Sequence, residues 1–170
     1  MKSHLLFNFF LVCLFTLIFT QINETKAQTI QLGSGTATNG TTTSSPVNIY
    51  YRRTASQFVY TVAELNAAGI VGPCNLQDIG WYVTQSPLYN IPGYTVKMKH
   101  VAANNVAAAL GTAGWTTVKN AFTYTPTAGG WDMLGLNNAF VWNGVDNIGV
   151  ELCWSQVTPN YNASGQCRLY

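Results

Sequence analysis

Phe140-Val141-Trp142-Asn143-Gly144-Val145-Asp146-Asn147-Ile148-Gly149-Val150-Glu151-Leu152-Cys153-Trp154 is the stretch whose reading decides the fold. Two apolar runs, Phe140 to Trp142 and Ile148 to Trp154, flank an Asn-Gly dipeptide. Asn-Gly between apolar runs is a strong short-range signal of a β-hairpin, because both residues tolerate the left-handed backbone of a tight turn. The expectation is a pair of core strands joined at Asn143-Gly144.

Working outward, the clearest alternation is Tyr94 to Val101. It places Val96, Met98 and His100 on one face and Thr95, Lys97 and Lys99 on the other. The lysines are expected in water, where their charge discourages edge-to-edge pairing. Ile79, Trp81 and Val83 alternate in the same way with Gly80, Tyr82 and Thr84. Further β-prone runs are Thr29 to Leu32, Val47 to Arg52, Gln57 to Thr61, Trp115 to Tyr124 and Trp131 to Leu136. Thr61-Val62-Ala63-Glu64 is a capping box that opens one or two helical turns ending at Gly69. The Ala-rich stretch Ala102 to Leu110 predicts a second short helix. About nine short strands separated by turn signals indicate an all-β, antiparallel β-sandwich, jelly-roll-like, with one or two short helices. Cys167-Arg168-Leu169-Tyr170 reads as a strand just beginning, so the sandwich is expected to be incomplete at its C-terminus.

Residues 1–27 read as a signal peptide, with a basic Lys2, an apolar run from Leu5 to Phe19 and a Thr25-Lys26-Ala27 exit. About 15 apolar residues fall short of the roughly 20 that span a bilayer. The expectation is therefore cleavage and export to the medium or cell surface, with no stable membrane span. Residues 28–46 form a Gly/Ser/Thr-rich strand and loop, and residues 47–170 the sandwich domain. Charged residues are only 8% of the chain and the formal net charge is +2, which argues against a charge-driven nucleic-acid partner. After cleavage Cys74, Cys153 and Cys167 remain, an odd number in an oxidising compartment. Cys153 and Cys167 lie symmetrically about Asn160, and a turn there would set them on adjacent strands. A Cys153–Cys167 bridge, a bridge involving Cys74 and three buried free thiols all stay open.

Several segments carry a family resemblance, in this order: Ile49-Tyr50-Tyr51-Arg52, Gln57 through Ile70, Ile79-Gly80-Trp81, Tyr94 through His100, Gly114 through Val118, Tyr124-Thr125-Pro126, Gly130 through Leu134, and Phe140 through Gly144 with Asn147 to Cys153. The series resembles the N-terminal β-sandwich module of secreted or surface-attached proteins of the Bacteroidota, flavobacteria especially. That family often carries fibronectin type III-like repeats and a C-terminal type IX sorting domain. The resemblance implies export, further domains in a longer parent chain, adhesion or binding of a surface polymer, and no established catalytic role. The chain departs from the pattern by ending at Tyr170 without repeats or sorting domain, and so reads as a fragment.

The residues themselves offer little catalytic chemistry. The one histidine after the leader, His100, lies on the apolar face of its strand and lacks the partners of a nucleophilic triad. No Gly-x-Ser-x-Gly or His-Glu-x-x-His motif is present. A hydrolase would have to use Glu151 and Asp132, the carboxylates of interest for an acid–base pair. Asn143, Asp146 and Asn147 supply oxygen donors of the type calcium accepts, although their spacing equally suits a turn that satisfies its own backbone. No other cofactor is indicated. Among the aromatics, Tyr82, Trp115 and Trp131 are the candidates for a ligand-stacking surface, Tyr82 because it opposes Trp81 on its strand, Trp115 and Trp131 because they follow glycine-containing turns. The first reading is a non-enzymatic exported module binding a polysaccharide or other surface polymer. The alternatives are a spacer without its own ligand and a domain of a secreted hydrolase.

Overall fold

A computed structural model describes residues 27–40, 45–155 and 165–169. The expected signal peptide, apart from Ala27, and the turn near Asn160 lie outside the described residues. Among the described residues nine strands are formed: β1 (Thr54–Tyr60), β2 (Cys74–Leu76), β3 (Gly80–Gln85), β4 (Ile91–Val101), β5 (Thr116–Tyr124), β6 (Gly130–Met133), β7 (Phe140–Trp142), β8 (Asn147–Trp154) and β9 (Gln166–Cys167). The helix α1 spans Val62–Ala67. Every ladder is antiparallel. One sheet has the order β1-β8-β4-β5, a second β6-β3-β9, and β2 pairs with β7 alone. The fold is an all-β, sandwich-like one, with one short helix among the described residues. Among the described residues no helix is long and apolar enough to cross a membrane.

The core lies between the two larger sheets. β8 is hydrogen-bonded on both edges and turns Ile148, Val150, Leu152 and Trp154 inward, where they meet Val96 and Met98 of β4 and Trp81 and Val83 of β3. Each buried aliphatic or aromatic side chain of this set contributes about 1.5–3 kcal/mol relative to exposure. Tyr94 stacks on Trp154 with centroids 5.8 Å apart, and its hydroxyl donates to Pro46 O at 3.0 Å. The capping box is formed as its sequence requires: Glu64 N donates to Thr61 Oγ1 at 3.2 Å and Thr61 N to Glu64 Oε2 at 2.7 Å. Leu65 is the residue this helix buries.

Several expectations are corrected. Phe140–Trp142 and Asn147–Trp154 do not pair with each other, because β7 lies on β2 while β8 is filled on both edges by β1 and β4. The Asn143-Gly144 segment therefore links two sheets. Asn143 Oδ1 accepts from the N–H groups of Val145 and Asp146, both at 3.0 Å, and Trp142 Nε1 donates to Asp146 O at 2.7 Å. These bonds turn the chain away from β7 in place of a hairpin ladder. Val47 to Arg52 forms turns and bends rather than a strand, although Val47 and Ile49 are fully buried. No strand forms at Thr29 to Leu32. The N-terminal segment is tied further along, where Thr38 bridges Arg168, Leu169 N donates to Ala37 O at 2.8 Å and Cys167 N to Asn39 Oδ1 at 2.7 Å.

Ala102 to Leu110 is not helical. This segment lies across the outer face of the four-stranded sheet and is held by polar side chains. Asn147 Nδ2 donates to Ala103 O at 3.0 Å, and Leu110 N donates to Gln57 Oε1 at 2.9 Å. Lys99 is consequently only 9% exposed rather than in water; its Nζ donates to Leu110 O and, at 3.2 Å each, to Gly111 O and Ala113 O. His100 shares the face of Val96 and Met98 but is exposed near the end of β4; its ring lies 4.9 Å from that of Phe140, and Nε2 accepts from Asn143 N at 3.2 Å.

Candidate functional site

The outer face of the three-stranded sheet gathers the exposed aromatic chemistry. Because Trp81 and Val83 of β3 point into the core, Tyr82 between them points out. Trp131 of β6 is its direct cross-strand partner, and the rings meet edge to face at 5.8 Å and 88°. On the other side Arg168, immediately after β9, donates its backbone N–H to Tyr82 O at 3.0 Å and lays its guanidinium 3.6 Å above the Tyr82 ring. Trp131, Tyr82 and Arg168 thus form a row across three adjacent strands. Trp131 and Met133 are each 43% exposed. Gly80 opposes Met133, and a Cβ there would stand 2.5 Å from Met133 Sδ, so the absent side chain gives the thioether its place on the sheet.

The row is held from below. Asp132 Oδ2 accepts from Tyr124 Oη and Thr127 N, both at 2.9 Å, and Gly129 N donates to Val83 O at 2.8 Å. Burial, reinforced by neighbouring acidic groups including Asp132, keeps the Tyr124 hydroxyl protonated far above its ordinary range. A surface of this kind offers the exposed indole to apolar C–H groups and a cation beside it.

The polar cluster on the four-stranded sheet is of another type. Lys97 Nζ meets Glu151 Oε1 at 2.9 Å, Gln57 Nε2 donates to Glu151 Oε2 at 2.8 Å, and Cys153 Sγ lies 3.4 Å from Glu151 Oε1. Burial works to raise the Glu151 pKa, but the bonds from Lys97, Gln57 and Cys153 together bring it below its usual value. Both carboxylate oxygens are engaged, and Asp132 stands in the other sheet, bonded to Tyr124 and Thr127. The two carboxylates do not share a cleft.

Of the residues singled out from the sequence, Tyr82 and Trp131 come together and Trp115 does not join them. Trp115 lies against the loop over the four-stranded sheet, its Nε1 donating to Gly111 O at 2.9 Å and its ring 4.4 Å from Lys99 Nζ. The three calcium candidates are hydrogen-bonded within the protein. Asn143 Oδ1 serves its own loop, Asn143 Nδ2 donates to Asp146 Oδ2 at 2.7 Å, and Asn147 Oδ1 accepts from Val62 N at 2.8 Å. The Cys153–Cys167 bridge is also corrected. Cys153 lies on β8 opposite Ala55 and Thr95, Cys167 pairs with Val83 in the other sheet, and Cys74, Cys153 and Cys167 are all free. Burial pushes the Cys167 thiol up to about 11.

Arg168 in the row and Met133 beside it were passed over by sequence reasoning. Alternation from Trp131 could have placed Met133 on the same face, whereas Arg168 is brought to Tyr82 only by the pairing of β9 with β3. No family model, curated protein or solved structure matches the chain.

Proposed function

We propose that this chain is a non-catalytic, exported module, of the Bacteroidota surface type its motifs resemble, that binds a surface polymer and thereby contributes to adhesion. A glycan is the polymer class the face suits. The observation that carries this reading is the Tyr82–Trp131 pair, two aromatic rings in contact on the outer face of a sheet with the indole 43% exposed. A contiguous exposed apolar patch is a mark of a binding surface, and the C–H faces of a pyranose ring pack on an indole as other apolar groups do. Engagement of Glu151 by Lys97 and Gln57, and of Asp132 by Tyr124 and Thr127, supports binding over hydrolysis.

Calorimetric titration of the exported chain against a polysaccharide panel tests the proposal. At least one polymer is expected to bind saturably, and Trp131→Ala and Tyr82→Ala to weaken it about tenfold or more, the range of losing one stacked ring, with unchanged circular dichroism. Absence of saturable binding across the panel, or full affinity in the double variant, leaves the spacer reading in its place.

A further inference from the structure

We infer that the Trp131–Tyr82–Arg168 row selects acidic polysaccharides, those whose sugar units carry carboxylates, over neutral ones. The inference rests on the polymer-binding reading and adds the chemical class of the ligand. Its basis is that Arg168 brings a cation to the aromatic face, and the ion pair found among the described residues, Lys97–Glu151, does not involve it. Each acid among those residues has hydrogen-bond partners of its own. Glu64 closes the cap of α1, Asp78 Oδ1 accepts from Ile79 N and Gly135 N, and Asp132 holds Tyr124 and Thr127. Asp146 meets Asn143, and Glu151 meets Lys97 and Gln57.

The guanidinium lies 3.6 Å above the Tyr82 ring. A guanidinium stacked on an aromatic ring keeps its N–H groups directed outward in one plane, the geometry that accepts both oxygens of a carboxylate. Stacking also restrains the side chain before a ligand arrives, so less conformational freedom is lost on binding. Trp131 and Arg168 flank Tyr82, whose ring lies 5.8 Å from the indole and 3.6 Å from the guanidinium. That arrangement suits an oligosaccharide stacked on the indole at one sugar and presenting a carboxylate at a neighbouring one.

Polygalacturonate oligomers and their fully methyl-esterified forms provide the test, since they share a backbone and differ in charge. Wild-type protein is expected to bind the acid form at least tenfold more tightly at low ionic strength, with the preference shrinking as salt is added. Arg168→Gln is expected to abolish the preference while retaining affinity for the ester. Arg168→Lys, which keeps the charge but not the planar fork, is expected to retain only part of it. Trp131→Ala is expected to weaken both forms. Melting curves establish that each variant is folded. Equal wild-type affinities for acid and ester, or a preference unchanged in both Arg168 variants, overturns the acidic selection and leaves the polymer-binding reading standing. If neither form nor any polymer of the wider panel binds, both fall. Concentration-dependent dimerisation abolished by Trp131→Ala, without polymer binding, assigns the face to a second copy of the chain and overturns both as well.

Discussion

Lys99 is the residue on which a whole segment depends. Ala102 to Leu110 has the alanine content of a helix, yet Lys99 draws the carbonyls of Leu110, Gly111 and Ala113 to its ammonium group and sets its charge over Trp115. A short helix is marginal without tertiary support, whereas hydrogen bonds to a charged group are each worth about 1.5–3 kcal/mol. Gly149 makes room for the same segment: a Cβ there would stand 3.0 Å from Leu110 Cδ1 and 3.1 Å from Val101 Cγ1. Lys99→Met is expected to lower stability by about 1–3 kcal/mol, part of the loss being recovered as the exposed carbonyls of Gly111 and Ala113 turn to water. Denaturant unfolding gives the change, and amide exchange should show it concentrated in residues 102–114. Exchange rates equal to wild type across that segment would reject the anchoring role.

Among the elements, α1 and the Phe140–Trp154 stretch show when a local signal is sufficient. The capping box satisfies its donors within four residues, so Thr61-Val62-Ala63-Glu64 forms the same hydrogen bonds in the structure as the sequence implies. Thr61→Ala is expected to cost about 1 kcal/mol, read from the chemical-denaturation midpoint; a loss below a few tenths would mean that the Asn147 bond to Val62 N carries this end of the helix alone. The Asn-Gly signal at Asn143-Gly144 is just as local, and Gly144 does take a positive φ of 79°. A hairpin also needs its two strands to prefer each other. Here β8 gains ladders on both edges, and β7 is taken by β2. At Gly144 the backbone of Pro73 and Gly72 approaches to where a Cβ would be, 2.7 Å from Pro73 N, so the glycine serves a contact between loops as well as a turn.

Across the whole molecule, acid stability is tied to the Lys97–Glu151–Gln57 bridge, which joins β4, β8 and β1 on one face. The Glu151 pKa is lowered from 4.5 in the folded protein. Its contribution is therefore fully present above 4.5 and is lost as the pH falls through the lower folded value. Lys97 is shifted upward from 10.5, chiefly by its bond to Glu151, so its contribution is present below 10.5 and lost as pH rises through the folded value. Wild-type protein is expected to exceed Glu151→Gln by on the order of 1 kcal/mol at neutral pH, with the difference closing below pH 4.5. Urea unfolding at a series of pH values measures it, and a difference that stays constant into acid would dismiss the bridge as its source.

Alternation along β3, β4 and β8, the capping box and the spacing of turn residues are properties of neighbouring residues, and they were sufficient for the all-β class, most strand positions and the outward face of Tyr82. They also placed Trp131 as a candidate before its partner was known. Covering, pairing and convergence depend on residues distant in sequence. The burial of Lys99, the separation of Cys153 from Cys167 into different sheets, the engagement of Asn147 by Val62 and the arrival of Arg168 over Tyr82 were decided only by the tertiary structure. The physical reason is that periodicity fixes which way a side chain points from its own backbone, while what it meets there is fixed by which sheet edges pair and which loops return.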